Sequence, residues 1–96
     1  MTARITRLAE QDLPEIGDYI ARDKPERALS FIAELRATCA GLETFPEAHP
    51  VADGLESVGV RRHAHKRYAV YHRVRGGKVE LLRVLHQSRD HLAAFG

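Results

Sequence analysis

Apolar residues recur at two different periods along this 96-residue chain, and the period changes near its middle. In the first half, Ala9, Leu13, Ile16 and Ile20 follow one another at spacings of four, three and four. That spacing places them on one face of a helix, with Tyr19 flanking the stripe. "ARIT", Ala3 to Thr6, is a short candidate strand before it, and Thr6 is suited to cap the helix. Pro14 falls inside the pattern. If the helix starts at Thr6, Pro14 removes one backbone hydrogen bond and bends it; if Asp12 is the cap, Pro14 sits harmlessly in the first turn. The longer, locally bent helix is preferred. A second and stronger stripe, Ala28, Phe31, Ile32, Leu35, Cys39 and Leu42, follows Pro25, which is well placed at a first helical position. The two prolines of "TFPEAHP" stop it. Helices joined by so few residues form an antiparallel hairpin.

Beyond Gly54 the runs become strand-like. "VGVRR" (Val58 to Arg62), "RYAVYHRV" (Arg67 to Val74) and "KVELLRVLH" (Lys78 to His86) read as three strands. Gly76 and Gly77 supply the positive φ angles of a tight hairpin between the last two. "QSRDHLAAFG" is a short tail. The order strand, helix, helix, three antiparallel strands predicts one α+β domain over residues 1–96. In it the helical hairpin lies on one face of a small antiparallel β-sheet.

Composition narrows the class. The hydrophobic fraction is 44% and the charged fraction 29%, as in ordinary globular proteins. No apolar run approaches the ~18 residues of a membrane helix. The N-terminus carries acids early and lacks the apolar stretch of a signal peptide, so a cytoplasmic location is expected. A single cysteine, Cys39, cannot form an internal disulfide, which fits a reducing compartment. The net charge is only +2, but acids dominate up to Pro50, whereas bases and five of the six histidines gather after it. Such asymmetry predicts a basic face for an acidic partner. The small net charge argues against binding nucleic acid by electrostatics alone.

Candidate chemistry is sparse. Cys39 lies on a helix stripe and reads as core packing. His63 and His65 stand two apart, on one side of an extended chain, where two imidazoles could face a metal or a phosphodiester. No third ligand is evident, so they read as part of a polar connector between strands and no metal is assigned. Arg61, Arg67, Arg73, Arg83 and Arg89 are spread over the strands and tail, each a fork of donors suited to phosphate or carboxylate. In a ribonuclease, Arg61, Arg73 and Arg83 would steady the phosphate while His86 or His63 took the 2′-hydroxyl proton. Alternatively the sheet arginines pair with Glu80, Asp90 or an acidic partner. Tyr68 and Tyr71 fall on opposite faces of their strand, one toward the core and one toward the surface, so they build no base-stacking platform. No glycine-rich phosphate loop or Walker motif exists, and no cofactor is implied.

The order of these pieces carries a resemblance. "AEQDLPEIGDYIARDKPERALSFIAEL" is similar to the helical hairpin of the ParE toxins, within the RelE/ParE superfamily of type II toxin–antitoxin systems. "VRRHAHKRYAVYHRV" and "VELLRVLHQSRD" resemble that family's last strands. The likeness runs from about Ile5 to Asp90. It rests on Asp12-Leu13, Ile16, Tyr19-Ile20, Ala28, Leu35, Pro46, Arg61, Arg73, Arg83-Val84-Leu85-His86 and Arg89-Asp90. Two positions depart from it: His72 precedes Arg73 where such chains often carry an aromatic pair, and Pro14 interrupts the first helix.

The resemblance implies a toxin, a ParD-like antitoxin encoded beside it, and DNA gyrase as target. On that reading Arg61, Arg67, Arg73, Arg83, His86 and Arg89 form a target-binding face with the tail at its rim, and nothing in the chain is catalytic. The alternative is a ribosome-dependent mRNA endoribonuclease of RelE type, with the roles named above. Leu13, Ile16, Tyr19 and Ile20 fill more than one stripe, so part of that surface is a candidate antitoxin-binding site. For Leu13 and Ile20 a place in the core is the preferred reading.

Overall fold

The computed structural model describes residues 2–95. A strand β1 (Thr2–Ile5) leads into helices α1 (Arg7–Ala21) and α2 (Pro25–Gly41), followed by strands β2 (Arg61–His65), β3 (Tyr68–Arg75) and β4 (Lys78–His86). The sheet order is β1-β4-β3-β2. The last three strands are antiparallel neighbours, and β1 adds to β4 in parallel through Thr2↔Lys78 to Ile5↔Leu81. This α+β arrangement is the expected one, with a parallel first strand making the sheet mixed.

Thr6 joins three elements. Its amide bonds Leu81 O at 3.0 Å, extending the β1 pairing, and its hydroxyl donates to Leu82 O at 3.1 Å. The same hydroxyl accepts from Ala9 N at 3.4 Å, capping α1. The helix then runs through Pro14 to Ala21, so the long helix is the one formed. Pro25 opens α2 as expected, but α2 ends at Gly41, ahead of both prolines.

The hairpin buries Leu13, Ile16, Phe31, Leu35 and Cys39 against Tyr68, Val70, Val79, Leu81 and Val84 on one face of the sheet. A second cluster, Leu55, Val60, Ala69, Tyr71 and Leu85, fills the other face. Residues 50–60 and the tail cover it. Ala52 N bonds Val60 O at 2.8 Å, and Phe95 meets Tyr71 with ring centroids 5.1 Å apart. Leu92 crosses Gly54 so closely that a Cβ there would lie 2.9 Å from its Cδ2, and Gly54 also holds φ 83°. Both faces of the central strands are therefore apolar, which explains the unbroken burial from Tyr68 to His72.

Three expectations need correction. Residues 56–58 form a 3-10 turn rather than strand, and β2 starts at Arg61. His63 and His65 accordingly lie within β2, and the connector shrinks to a turn with Lys66 at φ 56°. Tyr68 and Tyr71 do face opposite ways, but both are core residues because each face has its own cluster.

Candidate functional site

The candidate cations separate once their partners are seen. Since β1 covers β4 only as far as Leu81, the outer edge of β4 beyond it has no strand neighbour. Helix α1 runs along that gap, and Asp12 turns its carboxylate into it. Asp12 Oδ2 accepts from Val84 N at 2.9 Å and from Arg83 Nε at 2.8 Å, while Oδ1 accepts from Arg83 Nη2 at 2.9 Å. One buried carboxylate thus satisfies an edge amide and a guanidinium fork. Hydrogen bonding to Asp12 holds Arg83 still more firmly protonated than an ordinary arginine. Arg83 is therefore a strut between helix and sheet, its guanidinium engaged by Asp12.

Arg73 and Arg61 are also engaged. Arg73 Nε donates to Glu80 at 3.0 Å, and Arg4 bonds the same carboxylate. These bonds, Arg73 first, hold Glu80 below its ordinary range. The expected partner Glu80 is thus found, whereas Asp90 instead accepts from Ala93 N at 3.3 Å in the tail. Arg61 Nη1 donates to His49 O at 2.7 Å and pins the loop after α2 to β2.

The histidines divide in the same way. His63 Nδ1 lies 2.9 Å from His49 Nδ1. His72, wholly buried, bonds Pro46 O through Nε2 at 2.7 Å, and its Nδ1 has no partner. Burial, then neighbouring positive charge, pushes His63 below its ordinary value, and burial does the same to His72. Two ring nitrogens sharing one hydrogen require at least one neutral ring. Both shifts have the same sign. Above pH 6.5 the neutral rings weaken neither state; below it the unfolded chain takes up protons that the folded one resists. Stability is expected to fall as pH drops from about 6.5 through these lowered values. The fall should be shallower in His63→Asn, read as urea midpoints between pH 7.5 and 5. The loss at Glu34 comes later, because Arg27 and His65 hold it at about 2 against 4.5.

His86 stands on β4, with its ring edge-on to Tyr68 at 5.1 Å. Its Nδ1 accepts from Ser88 N at 3.1 Å, so in the neutral ring the hydrogen is on Nε2. It faces a hollow of about 330 Å³ shared with Asp12, Glu15, Tyr19, Tyr68 and Arg89. Gln87 N bonds Arg67 O at 2.8 Å, which sets the β2–β3 turn beside the exit of β4. Arg67 and Arg89 therefore reach solvent at the same end of the sheet, without ion-pair partners among the described residues.

No single constellation assembles from the ribonuclease set. His63 pairs with Val70, and Val70 with Val84, so His63 stands two strand spacings across from β4 and two residues out of step with His86, about 12 Å away. Arg73 and Arg83 line a groove against the second cluster, away from Arg61 and His63. Among the described residues, no three His, Cys, Asp or Glu side chains are grouped to hold a metal. Cys39 is buried, and burial pushes its thiol up to about 11, which suits packing and not nucleophilic attack. No helix among the described residues is long and apolar enough to cross a membrane.

The proposed antitoxin residues divide likewise. Leu13 has no exposed surface and Ile16 only 7%, so both belong to the core; Ile20 packs partly against it. Tyr19 is 63% exposed and is the one free to meet a partner. No local pattern singles out His91, whose Nε2 donates to His86 O at 2.8 Å while Tyr71 Oη bonds its Nδ1. Tyr71→Phe should cost about 1 kcal/mol and speed amide exchange at Ala94 and Phe95, since that bond helps to hold the tail.

Residues 3–91 match the family described as "ParE toxin of type II toxin-antitoxin system, parDE". Toxin ParE1 of Caulobacter vibrioides is 36% identical over 94 residues, covering 97% of this chain and 96% of that protein. A solved structure titled "Chromosomal ParDE TA system from P. aeruginosa" superposes with a TM-score of 0.78 at 25% identity, covering 90% of this chain and 95% of that one.

Proposed function

Because the chain belongs to the ParE toxin family of type II toxin–antitoxin systems, we propose that it is a cytoplasmic toxin that inhibits DNA gyrase by protein–protein contact and is neutralised by a ParD-like antitoxin. It performs no chemistry of its own. The observation that carries this reading is the sorting of the cations. Arg61, Arg73 and Arg83 are spent on His49, Glu80 and Asp12, and only Arg67, His86 and Arg89 remain at one open end of the sheet. A patch of this kind suits recognition of an acidic protein surface. It offers no base held against a convergent phosphate clamp, which RNA cleavage requires. Tyr19, beside the same hollow, is the reading's anchor for the antitoxin.

An Arg67→Glu/Arg89→Glu variant tests the contact face. It should keep the wild-type unfolding midpoint, since neither side chain is paired, and lose gyrase inhibition. His86→Ala tests the chemistry. A catalytic base would cost about 10²–10⁴ in rate when removed, so ribosome-dependent mRNA cleavage by the wild type that collapses in His86→Ala would overturn the reading.

A further inference from the structure

Two imidazoles meet where the loop after α2 reaches the last strand of the sheet. His63 is the middle residue of β2, and His49 lies on the loop that Arg61 pins to that strand. Their Nδ1 atoms are 2.9 Å apart, and both side chains are half-buried, so solvent reaches the pair. The rings are inclined at 66° with centroids 4.0 Å apart. Nitrogens meeting tip to tip would set the centroids a full ring diameter farther apart than the nitrogens themselves. The two separations differ by much less than that, so the nitrogens meet obliquely. A hydrogen bond favours alignment along the line between donor and acceptor. A shared metal ion needs the opposite, with both lone pairs aimed at one point beside that line.

The spacing also selects the metal. Two ring nitrogens 2.9 Å apart, each about 2.0–2.1 Å from one ion, subtend about a right angle at it. A tetrahedral zinc would hold them about 3.3 Å apart. Right angles belong to the square-planar and tetragonal sites of Cu²⁺ and Ni²⁺, and Cu²⁺ has the highest affinity of the divalent first-row series. Both rings would coordinate through Nδ1, so each would carry its hydrogen on Nε2. The ring that now holds it on Nδ1 only changes tautomer, and no proton is released. His72 is a third imidazole behind the pair, but its centroid is 6.2 Å from that of His49 and its Nε2 is committed to Pro46 O. Water therefore fills the remaining positions. Arg61 is a cation on the same strand, turned toward the carbonyls of Glu47 and His49, and its charge keeps the affinity modest.

We propose that His49 and His63 form a two-imidazole chelate for Cu²⁺ or Ni²⁺, which clips the loop after α2 to the outer strand of the sheet. That loop is otherwise joined to β2 by the bond from Arg62 N to Pro50 O at 3.0 Å, by the bridge between Val51 and Arg61, and by the Arg61 side chain. The site needs neither the antitoxin nor gyrase.

The test uses the untagged full chain, stripped with EDTA, and Cu²⁺ as the probe near pH 7.5. One equivalent should bind, and the thermal unfolding midpoint should rise with free Cu²⁺, as it does for any ion that binds the folded state. Electron paramagnetic resonance of the wild-type protein should show two equatorial nitrogens, a readout independent of any variant. His49→Gln and His63→Gln should each weaken binding about tenfold or more, because the second imidazole no longer adds an intramolecular ligand. His65→Gln, two residues along the same strand, should bind as the wild type does. No uptake at a large molar excess of Cu²⁺, a midpoint that falls because the unfolded chain takes up the ion, or undiminished uptake in either His49→Gln or His63→Gln would overturn the assignment.

Discussion

Replacing Asp12 by alanine is expected to destabilise the fold by about 3–5 kcal/mol, the cost of breaking a buried ion pair from one side. The Asp12 side chain is 5% exposed and that of Arg83 14%, so water cannot substitute for the lost carboxylate. The variant leaves a guanidinium without a counter-charge and also orphans the amide of Val84 at the open edge of β4. An unsatisfied buried amide adds about 1–3 kcal/mol by itself. Asp12→Asn separates the two contributions, because the amide oxygen can still accept from Val84 N while the charge is gone. It should fall between wild type and alanine. Urea denaturation of the three proteins reads the effect, and a double variant with Arg83→Met should recover part of the loss. If Asp12→Ala unfolds within about 1 kcal/mol of wild type, the strut described here does not hold the edge.

Leu13 and Tyr19 should give opposite results although they sit only six residues apart on one helix. Leu13→Ala opens a void in the main cluster, where the side chain is fully enclosed, and should cost about 2–5 kcal/mol. Tyr19→Ala removes a mostly exposed ring and should change stability by no more than about 0.5 kcal/mol. Antitoxin affinity should respond the other way round. Tyr19→Ala weakens the complex, whereas Leu13→Ala affects it only through the smaller folded fraction. Denaturation midpoints beside titrations at a temperature where both variants are folded would distinguish the two. A Leu13→Ala protein that stays stable but loses the antitoxin would contradict its place in the core.

The helices were legible because each carries apolar residues at helical spacing and a recognisable start. Thr6 and Pro25 mark those starts locally, and local signals survive without knowledge of the tertiary fold. Strand β4 was legible from Lys78 to His86 for the same reason, with two glycines setting its turn. The fate of the arginines was not. Arg83 reads as an exposed cation until Asp12 is brought to it from 71 residues away. That meeting depends on a parallel pairing of β1 with β4 that no local pattern announces. His63 was displaced for a similar reason, since its partner His49 lies in a loop whose course follows from the docking of Arg61. The covered second face did leave a trace. "YAVY" and "ELLRVL" are nearly continuous apolar runs, which a sheet open to water on one side would interrupt at every second residue. Among the site residues, Arg67, Arg89 and Tyr19 are exposed and His86 is half-buried, while Arg61, Arg73, Arg83 and Leu13 take part in the architecture.

The most direct measurement is a supercoiling and cleavage assay of DNA gyrase with the purified, antitoxin-free protein. Supercoiling should be lost and cleaved DNA should accumulate on the enzyme, both reversed by the antitoxin. Undiminished supercoiling at a large molar excess of folded toxin would contradict gyrase inhibition.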